Sequence, residues 1–396
     1  MSAPRVALFV PETPAGSNAI LRARAFSMAR ILKEEGVEVF VVGAERNEES
    51  ARRATSSIRQ EFTLDAAISS NGRFDRGFKG VMITTLLARW QFASTLREFA
   101  PTAVYAQSSI GCLVARGIAR SVGAQLILDV KGDLAAEVSM RRGTGTRARL
   151  AAWLEAHANR LADRHLTVSY RLADALARAG ASRSAVVVPS SVDSRYFGFR
   201  PDARARLRAE LGINHGEVLV CYSGGLSRWQ LVPSIIELFE RLAGRNSAVK
   251  FLFLTSNPAR LAEMLHGRRQ LENRAHIRSC GRDQVCDFLS AADAGILLRE
   301  QHPVNFVASP IKVGEYLSCR LPVILTAGIG DTSEWVAQGN AGLVIDGPDS
   351  VEALNTFLSR EDFESVRENA AKLFEERFEL NRYRAALSEL VRLSAN

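Results

Sequence analysis

Residues Ser309–Ile324 read SPIKVGEYLSCRLPVI, and the rest of the chain is organised around this stretch. Its spacing predicts a loop, then a short helix from about Ile311 to Cys319, then a buried strand at Pro322–Leu325. Pro310 suits the first turn of that helix, because the N–H that it lacks would be unpaired there. The remaining first-turn N–H groups make a positive helix end that suits phosphate or sugar oxygens.

Glu315 lies about one turn beyond this helix start. Its carboxylate can therefore face the same crevice and accept hydrogen bonds from a pair of hydroxyl groups, such as those of a ribose. The alternative interpretation is an amphipathic connecting helix with Glu315 in solvent. Spacing alone favours neither interpretation.

The composition of the 396-residue chain, 47% apolar and 24% charged, is typical of a globular protein large enough for two domains. No apolar run reaches the roughly 18 residues of a membrane span. The apolar run Arg5–Val10 leaves no room for a signal peptide before it. The five cysteines show no paired spacing, which favours a reducing cytoplasm and argues against a zinc site.

Charge is distributed unevenly along the chain. Residues 1–200 carry 28 Lys and Arg against 18 Asp and Glu, whereas the remainder carries 23 against 25. The densest basic patch is at residues 141–149. Anionic membrane lipid or a lipid-linked phosphate, nucleic acid, and a merely solvated arginine surface are the three interpretations. No recognisable nucleic-acid module accompanies the patch, so we expect no nucleic-acid partner.

The first residues read as a β-α-β unit. Strand Arg5–Val10 leads into a turn that contains Gly16, a helix capped by Ser17 or Asn18 follows, and Val37–Gly43 is the next strand. Ligands bind at such a turn in open parallel sheets. No Gly-x-Gly-x-x-Gly is present, so a dinucleotide cofactor is not indicated.

The alternation continues along the first half. Residues 44–80 read as a loop with at most one strand, and Val81–Phe99 as a helix with Leu86, Leu87, Trp90 and Leu96 on its apolar face. That face favours the core, with a membrane interface as the alternative. Strand Gln125–Val130 then leads into Lys131 and Gly132.

A second alternation starts at the apolar strand before Gly224 and Gly225. The two alternations predict an α/β protein with two Rossmann-like domains that face each other across a cleft. We expect a first domain at 1–195 and a second domain at 196–375.

The run from Pro310 through Lys312 and Glu315 to Leu321–Ile324 resembles the donor-binding signature of family 4 glycosyltransferases of the GT-B fold. Order and spacing extend this resemblance over nearly the whole chain. It implies that the domain at 1–195 binds the acceptor and that the domain at 196–375 binds a nucleotide sugar. It also implies that a terminal helix at 376–396 packs back across both. The matching segments are Ala29–Leu32, Gly36–Val39, Val188–Asp193, Tyr222–Leu226 and Gly330-Asp331-x-x-Glu334. Asp129-Val130-Lys131-Gly132 resembles an acceptor-side motif of members that assemble polysaccharides.

The sequence departs from the family pattern at three places. Val307 stands where the family usually has a glutamate, eight residues before Glu315. The arginine and lysine that usually grip the pyrophosphate fall at Gly225 and Gln230, so Arg228 is the candidate replacement, with Lys312 as a helper. The histidine expected in the first domain has no clear match.

The resemblance implies transfer of a sugar, with retention, from a UDP- or GDP-type sugar to a hydroxyl of a saccharide or lipid-linked acceptor. The expected location is the cytoplasm, with peripheral contact with the inner face of the membrane through the basic first half as one option. The absence of an Asp-x-Asp motif predicts no metal. The implied donor-site residues are Gly16, Gly224, Gly225, Arg228, Ser309, Pro310, Ile311, Lys312, Glu315, Asp331 and Glu334. The implied catalytic residues are Asp129, Lys131 and Glu315.

Alternatives stay open at several of these positions. Asp129 is either an acceptor-side group or a buried structural carboxylate, and Asp331 and Glu334 either contact the sugar or cap a helix. Two rival functions are a nucleotide-sugar epimerase of the same fold and a catalytically silent, nucleotide-sugar-binding partner of an assembly complex.

Overall fold

The computed structural model describes residues 3–16, 21–74, 77–181 and 185–392, and it divides the chain into two compact units. The first unit comprises residues 1–189 and 380–396, and the second comprises 190–379. The sequence placed the division after residue 195 and a separate terminal segment from 376. In the structure the chain instead leaves the first unit at Pro189 and rejoins it at Leu380.

The described part of the first unit forms a parallel sheet of seven strands with the order β3-β2-β1-β4-β5-β6-β7. These strands are β1 (Arg5–Pro14), β2 (Glu38–Ala44), β3 (Asp65–Ser69), β4 (Ala103–Ala106), β5 (Gln125–Val130), β6 (Arg164–Thr167) and β7 (Val186–Val187). All four residues of β4 are buried, as expected for a strand covered by helices on both faces. The order reverses at β1, which pairs with both β2 and β4.

Helices cover this sheet. They are α1 (Ser27–Glu34), α2 (Glu48–Phe62), α3 (Gly77–Gln91), α4 (Ala93–Phe99), α5 (Ser109–Val122), α6 (Leu134–Arg142), α7 (Thr146–Leu161), α8 (Tyr170–Arg178) and, later in the chain, α18 (Arg384–Arg392). A π-helical turn, Arg22–Phe26, precedes α1. The proposed caps of α1, Ser17 and Asn18, lie outside the described residues. In the first unit α18 adds Leu387, Leu390 and Val391 to the core beneath α1.

Two predictions for the first unit are wrong. Residues 44–80 are not mainly a loop, because α2 and β3 occupy most of them; the buried face of α2 is partly alanine, Ala51 and Ala54, which gave a weak apolar signal. The stripe on α3 is not core, because Leu86 is 47% exposed and Trp90 is 84% exposed. Of that stripe only Leu96, which belongs to α4, is buried.

The second unit is also doubly wound. In its described residues six parallel strands follow the order β10-β9-β8-β11-β12-β13. These strands are β8 (Val218–Ser223), β9 (Val249–Leu254), β10 (Ala275–Arg278), β11 (Ala294–Leu297), β12 (Val323–Thr326) and β13 (Gly342–Ile345). The two Rossmann-like units confirm the predicted α/β, GT-B class of fold.

Helices of the second unit begin with α9 (Pro201–Glu210). They continue with α10 (Val232–Ala243), α11 (Pro258–Leu265), α12 (Arg282–Ala291), α13 (Pro303–Phe306), α14 (Ile311–Ser318), α15 (Thr332–Gln338), α16 (Val351–Leu358) and α17 (Phe363–Leu373). The predicted helix in the opening stretch is therefore confirmed as α14, with Cys319 at its C-terminal cap. None of the helices among the described residues combines the length and the apolar content that crossing a bilayer requires.

Candidate functional site

Helix α14 is held at the point where the strand order of the second sheet reverses. The fully buried Tyr316 donates a hydrogen bond to the carbonyl of Ile296 on β11, and its oxygen accepts one from the N–H of Ser223 on β8 at 2.9 Å. A Cβ added to Gly295 would lie 2.5 Å from the tyrosine ring, so this glycine makes room for it. The carboxyl ends of β8 and β11 flank the crevice in which such sheets bind ligands.

The turn after β8 is shaped by Lys312. A Cβ added to Gly224 would lie 2.0 Å from the Lys312 Nζ, and the φ of Gly224 is +149°. The hydroxyl of Tyr222 donates a 2.5 Å hydrogen bond to the carbonyl of Gly225. The structure thus brings Gly224 and Lys312 together, with Gly225 held beside them through Tyr222, and donor binding by these three residues stays a prediction.

Lys312 is half-buried and lacks a strong counter-charge. Its Nζ donates to the Gln230 Oε1 at 2.9 Å and lies 4.7 Å from the centre of the Tyr222 ring. Burial and the neighbouring Arg299 lower the pKa of Lys312 to about 7, although Glu315 acts in the opposite direction. Near neutral pH this lysine can therefore gain or lose a proton in response to what binds.

Arg299 is a site residue that the sequence reasoning missed. It lies two residues after the end of β11, and its Nη1 donates to the Gln230 Oε1 at 3.0 Å and to the Trp229 carbonyl at 3.1 Å. Its position just beyond the carboxyl end of a buried strand was the available signal. Burial lowers the pKa of the Arg299 guanidinium.

Arg228, which the sequence offered as the cation for the pyrophosphate, lies in a short 3₁₀ turn at Arg228–Gln230. Its side chain is exposed and makes no hydrogen bond or salt bridge within the described part of the chain. Its backbone carbonyl accepts a hydrogen bond from Leu231. Its role as a pyrophosphate ligand stays a prediction.

The Glu315 side chain is largely shielded from solvent. It is half-buried, and within the described residues its carboxylate takes part in no hydrogen bond or salt bridge. Burial raises the pKa of Glu315, while Arg282 and Lys312 act in the opposite direction. A desolvated carboxylate with open acceptor positions is suited to a pair of ligand hydroxyls, and the alternative of an acid in solvent does not describe it.

Helix α14 begins at Ile311, as predicted. Pro310 was expected in the first turn but occupies the N-cap position just before it, and its carbonyl accepts a hydrogen bond from Val313. The hydroxyl of Ser309 accepts a hydrogen bond from the N–H of Ser190 at 3.0 Å. Ser309 therefore stabilises the loop through its side chain.

Asp331 and Glu334 belong to α15 and its cap. Asp331 is buried at the N-cap position but forms no capping hydrogen bond through its side chain, whereas Glu334 in the first turn is exposed. The preceding Gly330 has a φ of +46°, and a Cβ there would lie 2.0 Å from the carbonyl oxygen of Ala308. This close approach fixes the loop in front of α15, and a sugar contact by either acid stays a prediction.

Asp129, at the end of β5 in the first unit, is a structural carboxylate. The Arg24 guanidinium donates to Oδ1 at 2.8 Å and to Oδ2 at 2.9 Å, and the Tyr105 hydroxyl donates to Oδ2 at 2.6 Å. Burial opposes ionisation of Asp129, but Arg24 outweighs it and keeps its pKa below the usual range. The proposed role as a weak base is therefore corrected, because both oxygens are engaged and proton affinity is reduced.

Lys131 lies in a polar chain along the carboxyl edge of the first sheet. Its Nζ donates to the Gln107 Oε1 at 3.0 Å, and the Gln107 Nε2 donates to the Thr13 Oγ1 at 3.3 Å. Lys131 follows β5, Gln107 follows β4, and Thr13 lies near the end of β1. The strand order of the sheet reverses at β1. This edge is where an acceptor would bind in such a sheet.

Gly16 does not present a free N–H. Its amide donates to the Glu45 Oε1 at 2.7 Å, and a Cβ there would lie 3.0 Å from the Cβ of Ala54. A carboxylate already occupies the place that a pyrophosphate oxygen would take. The predicted approach of this amide to the donor is corrected for that reason.

A further acid of the first unit was not singled out from the sequence. Glu155 on α7 accepts a hydrogen bond from the N–H of Leu134 at the start of α6. Burial raises the pKa of Glu155 to about 7, with Asp133 and Glu137 adding to the increase against the backbone hydrogen bonds. Among the described residues no group of three or more His, Cys, Asp and Glu side chains is arranged to hold a metal ion.

Two doubly wound units, each with polar residues at its strand-order reversal, define a GT-B-type α/β protein. The Glycosyl transferase 4-like domain matches residues 21–190, and the Glycosyl transferases group 1 domain matches residues 203–373. The chain belongs to the family 4 glycosyltransferases, as its resemblance implied.

Individual relatives are more distant. Lipopolysaccharide glucosyltransferase WaaG of Escherichia coli (strain K12) is 29% identical over 170 residues, which is 42% of this chain and 43% of WaaG. The match thus spans less than half of that relative. Sucrose-phosphate synthase from Thermosynechococcus elongatus has a TM-score of 0.76 at 14% identity and 98% coverage of both chains. HepE of Anabaena, solved with UDP, has a TM-score of 0.71 at 16% identity and 99% coverage of both.

Proposed function

We propose that the protein transfers a sugar from a UDP- or GDP-type sugar to a hydroxyl of a saccharide or lipid-linked acceptor. The observation that carries this proposal is Glu315, an unpaired, half-buried acid one turn into α14, beside the cation Lys312. A nucleoside diphosphate offers the complementary groups: ribose hydroxyls for the acid and phosphate oxygens for the cation and the helix start. The structure of HepE in complex with UDP supports the proposal, because HepE has the same fold and binds a nucleoside diphosphate.

In this reaction the bond from the anomeric carbon to the diphosphate breaks while the acceptor oxygen attacks that carbon, and the proton of the acceptor hydroxyl passes to the departing diphosphate. Positive charge develops on the sugar and negative charge on the departing phosphate. Stabilising that phosphate therefore accounts for much of the catalysis. Lys312, with a pKa of about 7, can carry a full positive charge once the phosphate is beside it.

We propose retention of the anomeric configuration and no divalent cation requirement. Retention follows the expectation for the family, even though Val307 stands where that family usually has a glutamate. The proposal of a metal-free reaction is supported by Lys312, whose ammonium group lies beside the turn after β8 and can take the place of a divalent cation in stabilising the diphosphate. Analysis of the product by NMR, after reaction in the presence of a chelator, tests both statements.

For the acceptor we propose the carboxyl edge of the first sheet. Lys131 there can contact an acceptor hydroxyl or phosphate, and it is positioned by Gln107. The similarity to the lipopolysaccharide glucosyltransferase WaaG supports a saccharide acceptor of cell-surface synthesis. Assay of transfer to lipid-linked and free saccharides would identify the class.

We also propose that the first unit binds an anionic membrane surface in the cytoplasm. Trp90 on α3 and Trp153 on α7 are 84% and 56% exposed, and both helices contact α5. Exposed tryptophan beside arginine is typical of a membrane interface. Arg89, whose guanidinium lies over Gly117 of α5, is one arginine of this face.

The first experiment is a thermal-shift screen of the full-length protein against nucleotides and nucleotide sugars, followed by a transfer assay with each stabilising donor. Stabilisation by a nucleoside diphosphate together with transfer supports the proposal. Donor binding without transfer to any acceptor class would favour a silent, sugar-nucleotide-binding partner of an assembly complex. Epimerised donor formed without an acceptor would favour the epimerase.

A further inference from the structure

Two cations of the second unit share one neutral acceptor. The Gln230 Oε1 accepts from the Lys312 Nζ at 2.9 Å and from the Arg299 Nη1 at 3.0 Å. Because both partners are donors, the amide group must present its oxygen to them. A single amide oxygen holds the two cations beside each other without neutralising either.

Several other arginines of the chain have an acid partner. Arg24 pairs with Asp129, and in the second unit Arg204 and Arg208 share Asp293 at 2.5 and 2.8 Å. By contrast, neither Arg299 nor Lys312 forms a salt bridge with any described residue.

Desolvating two like charges side by side is unfavourable unless an anion joins them. The groups that face Lys312 are Arg299, Glu315, Cys221 and the Tyr222 ring. The acid among them, Glu315, is not within salt-bridge distance of Lys312. The missing anion is therefore not supplied by this part of the chain.

We propose that Arg299 and Lys312, held together by Gln230, form an unneutralised cation pair that binds the diphosphate of the donor. The inference rests on the proposed function and deepens it, because it assigns the diphosphate contacts to Arg299 in place of Arg228. Arg299 follows β11 and Gly224 follows β8, so the pair lies at the strand-order reversal. A guanidinium and an ammonium together can contact both phosphates of the diphosphate.

Gln230 is then a positioning residue, which acts on the ligand through the two cations. An acidic residue at this place would satisfy both cations permanently and compete with the ligand. A lysine would add a third positive charge to a half-buried pair. The neutral amide of Gln230 holds the pair in place and leaves its charge for the ligand.

The test compares the affinity of full-length variants for inorganic pyrophosphate, UDP and GDP by titration calorimetry. Arg299→Gln should weaken binding about 10- to 100-fold, the effect of losing a charged hydrogen bond. Arg278→Gln is the matched control, since Arg278 lies at the carboxyl end of another strand of this sheet, the edge strand β10. It should leave the affinity unchanged.

The variant Gln230→Glu distinguishes an effect on ligand affinity from an effect on stability, because the two are expected to change in opposite directions. The carboxylate would neutralise the cation pair, so the melting temperature should rise while pyrophosphate affinity falls at least about tenfold. A merely structural glutamine would lose stability and affinity together. This variant also keeps the proposal testable if Arg299→Gln does not fold.

The outcomes distinguish this inference from the proposed function. If wild type binds UDP or GDP and Arg228→Gln weakens binding while Arg299→Gln does not, the cation pair is overturned and sugar-nucleotide binding remains. If wild type binds only pyrophosphate, and Arg299→Gln abolishes it, the pair stands and the proposed function fails. No binding of any probe by wild type at millimolar concentration would overturn both.

Discussion

The guanidinium of Arg24 contacts both carboxylate oxygens of Asp129, 105 positions away in the sequence, at 2.8 and 2.9 Å. Both side chains are buried, and Arg24 also donates to the carbonyls of Val188 and Pro189. The pair therefore ties the turn before α1 to β5 and to the last residues of the first unit before the chain leaves it. This strand-end acid, a catalytic candidate from the sequence, stabilises the fold instead.

Asp129→Asn should therefore lower the free energy of unfolding by about 3–5 kcal/mol, because it leaves the Arg24 charge buried and unpaired. Urea denaturation measures this. Tyr105→Phe, which removes a single hydrogen bond to the same charged carboxylate, should cost less, about 1.5–3 kcal/mol. Full stability of the asparagine variant, together with loss of transfer, would restore Asp129 to a catalytic role.

The same ion pair predicts an acid limit to stability. The pKa of folded Asp129 lies below the ordinary value, so the unfolded chain binds the proton first as the pH falls. The stabilisation is thus complete above about pH 5 and is lost progressively at lower pH. The difference in unfolding free energy between wild type and Asp129→Asn should shrink below pH 4, as measured by denaturation at several pH values.

Glu315→Gln should weaken binding of UDP or GDP by about tenfold or more and leave stability unchanged or slightly increased. The carboxylate is desolvated and has no protein partner, so the fold loses nothing when its charge is removed. Titration calorimetry and thermal melting provide the two measurements. Glu352→Gln, at an exposed salt bridge with Arg245, is the control and should change neither. Loss of stability without loss of affinity would contradict the ribose contact.

Several features of the fold and site were accessible from the sequence because their signals are local. The strands are short apolar runs, and Pro310 marks the start of α14, which made Lys312 and Glu315 candidates. Helix α2 escaped notice because alanine makes up part of its buried face. The stripe of α3 was misplaced because apolar spacing does not reveal whether a surface covers it.

Other features depend on residues that are distant in the sequence. The sequence leaves two interpretations of Asp129, and only the ion pair with Arg24 in the structure decides between them. The sequence likewise does not show that the amide of Gly16 donates a hydrogen bond to Glu45. In the sequence Arg299 is a single arginine after a strand. Its place in the site becomes evident only from its hydrogen bond to Gln230, 69 positions earlier. No local pattern encodes such partnerships.

Lys312→Met should stabilise the protein and weaken pyrophosphate binding. The folded pKa of about 7 lies below the ordinary value near 10.4, so between these values the unfolded chain binds more protons and wild-type stability rises with pH. The gain from the substitution should therefore be largest below pH 7, at least about 2 °C in Tm, and should shrink towards pH 10. Thermal melting at pH 6.5, 8 and 9.5 measures it. A gain that does not depend on pH would contradict the unpaired-cation description.

Trp90→Ala should reduce binding to vesicles that contain phosphatidylglycerol. Trp90 is 84% exposed on α3, whereas Ala88, Thr84 and Thr85 on the same helix are buried, so the tryptophan contributes nothing to the core and is available to a bilayer surface. Cosedimentation with anionic and with purely phosphatidylcholine vesicles gives the affinities, and the loss should exceed about fivefold on the anionic ones. Tyr170→Ala, which removes a 54% exposed aromatic on α8, serves as the control. Equal binding by both variants, or binding that added salt does not weaken, would place the membrane contact elsewhere or exclude it.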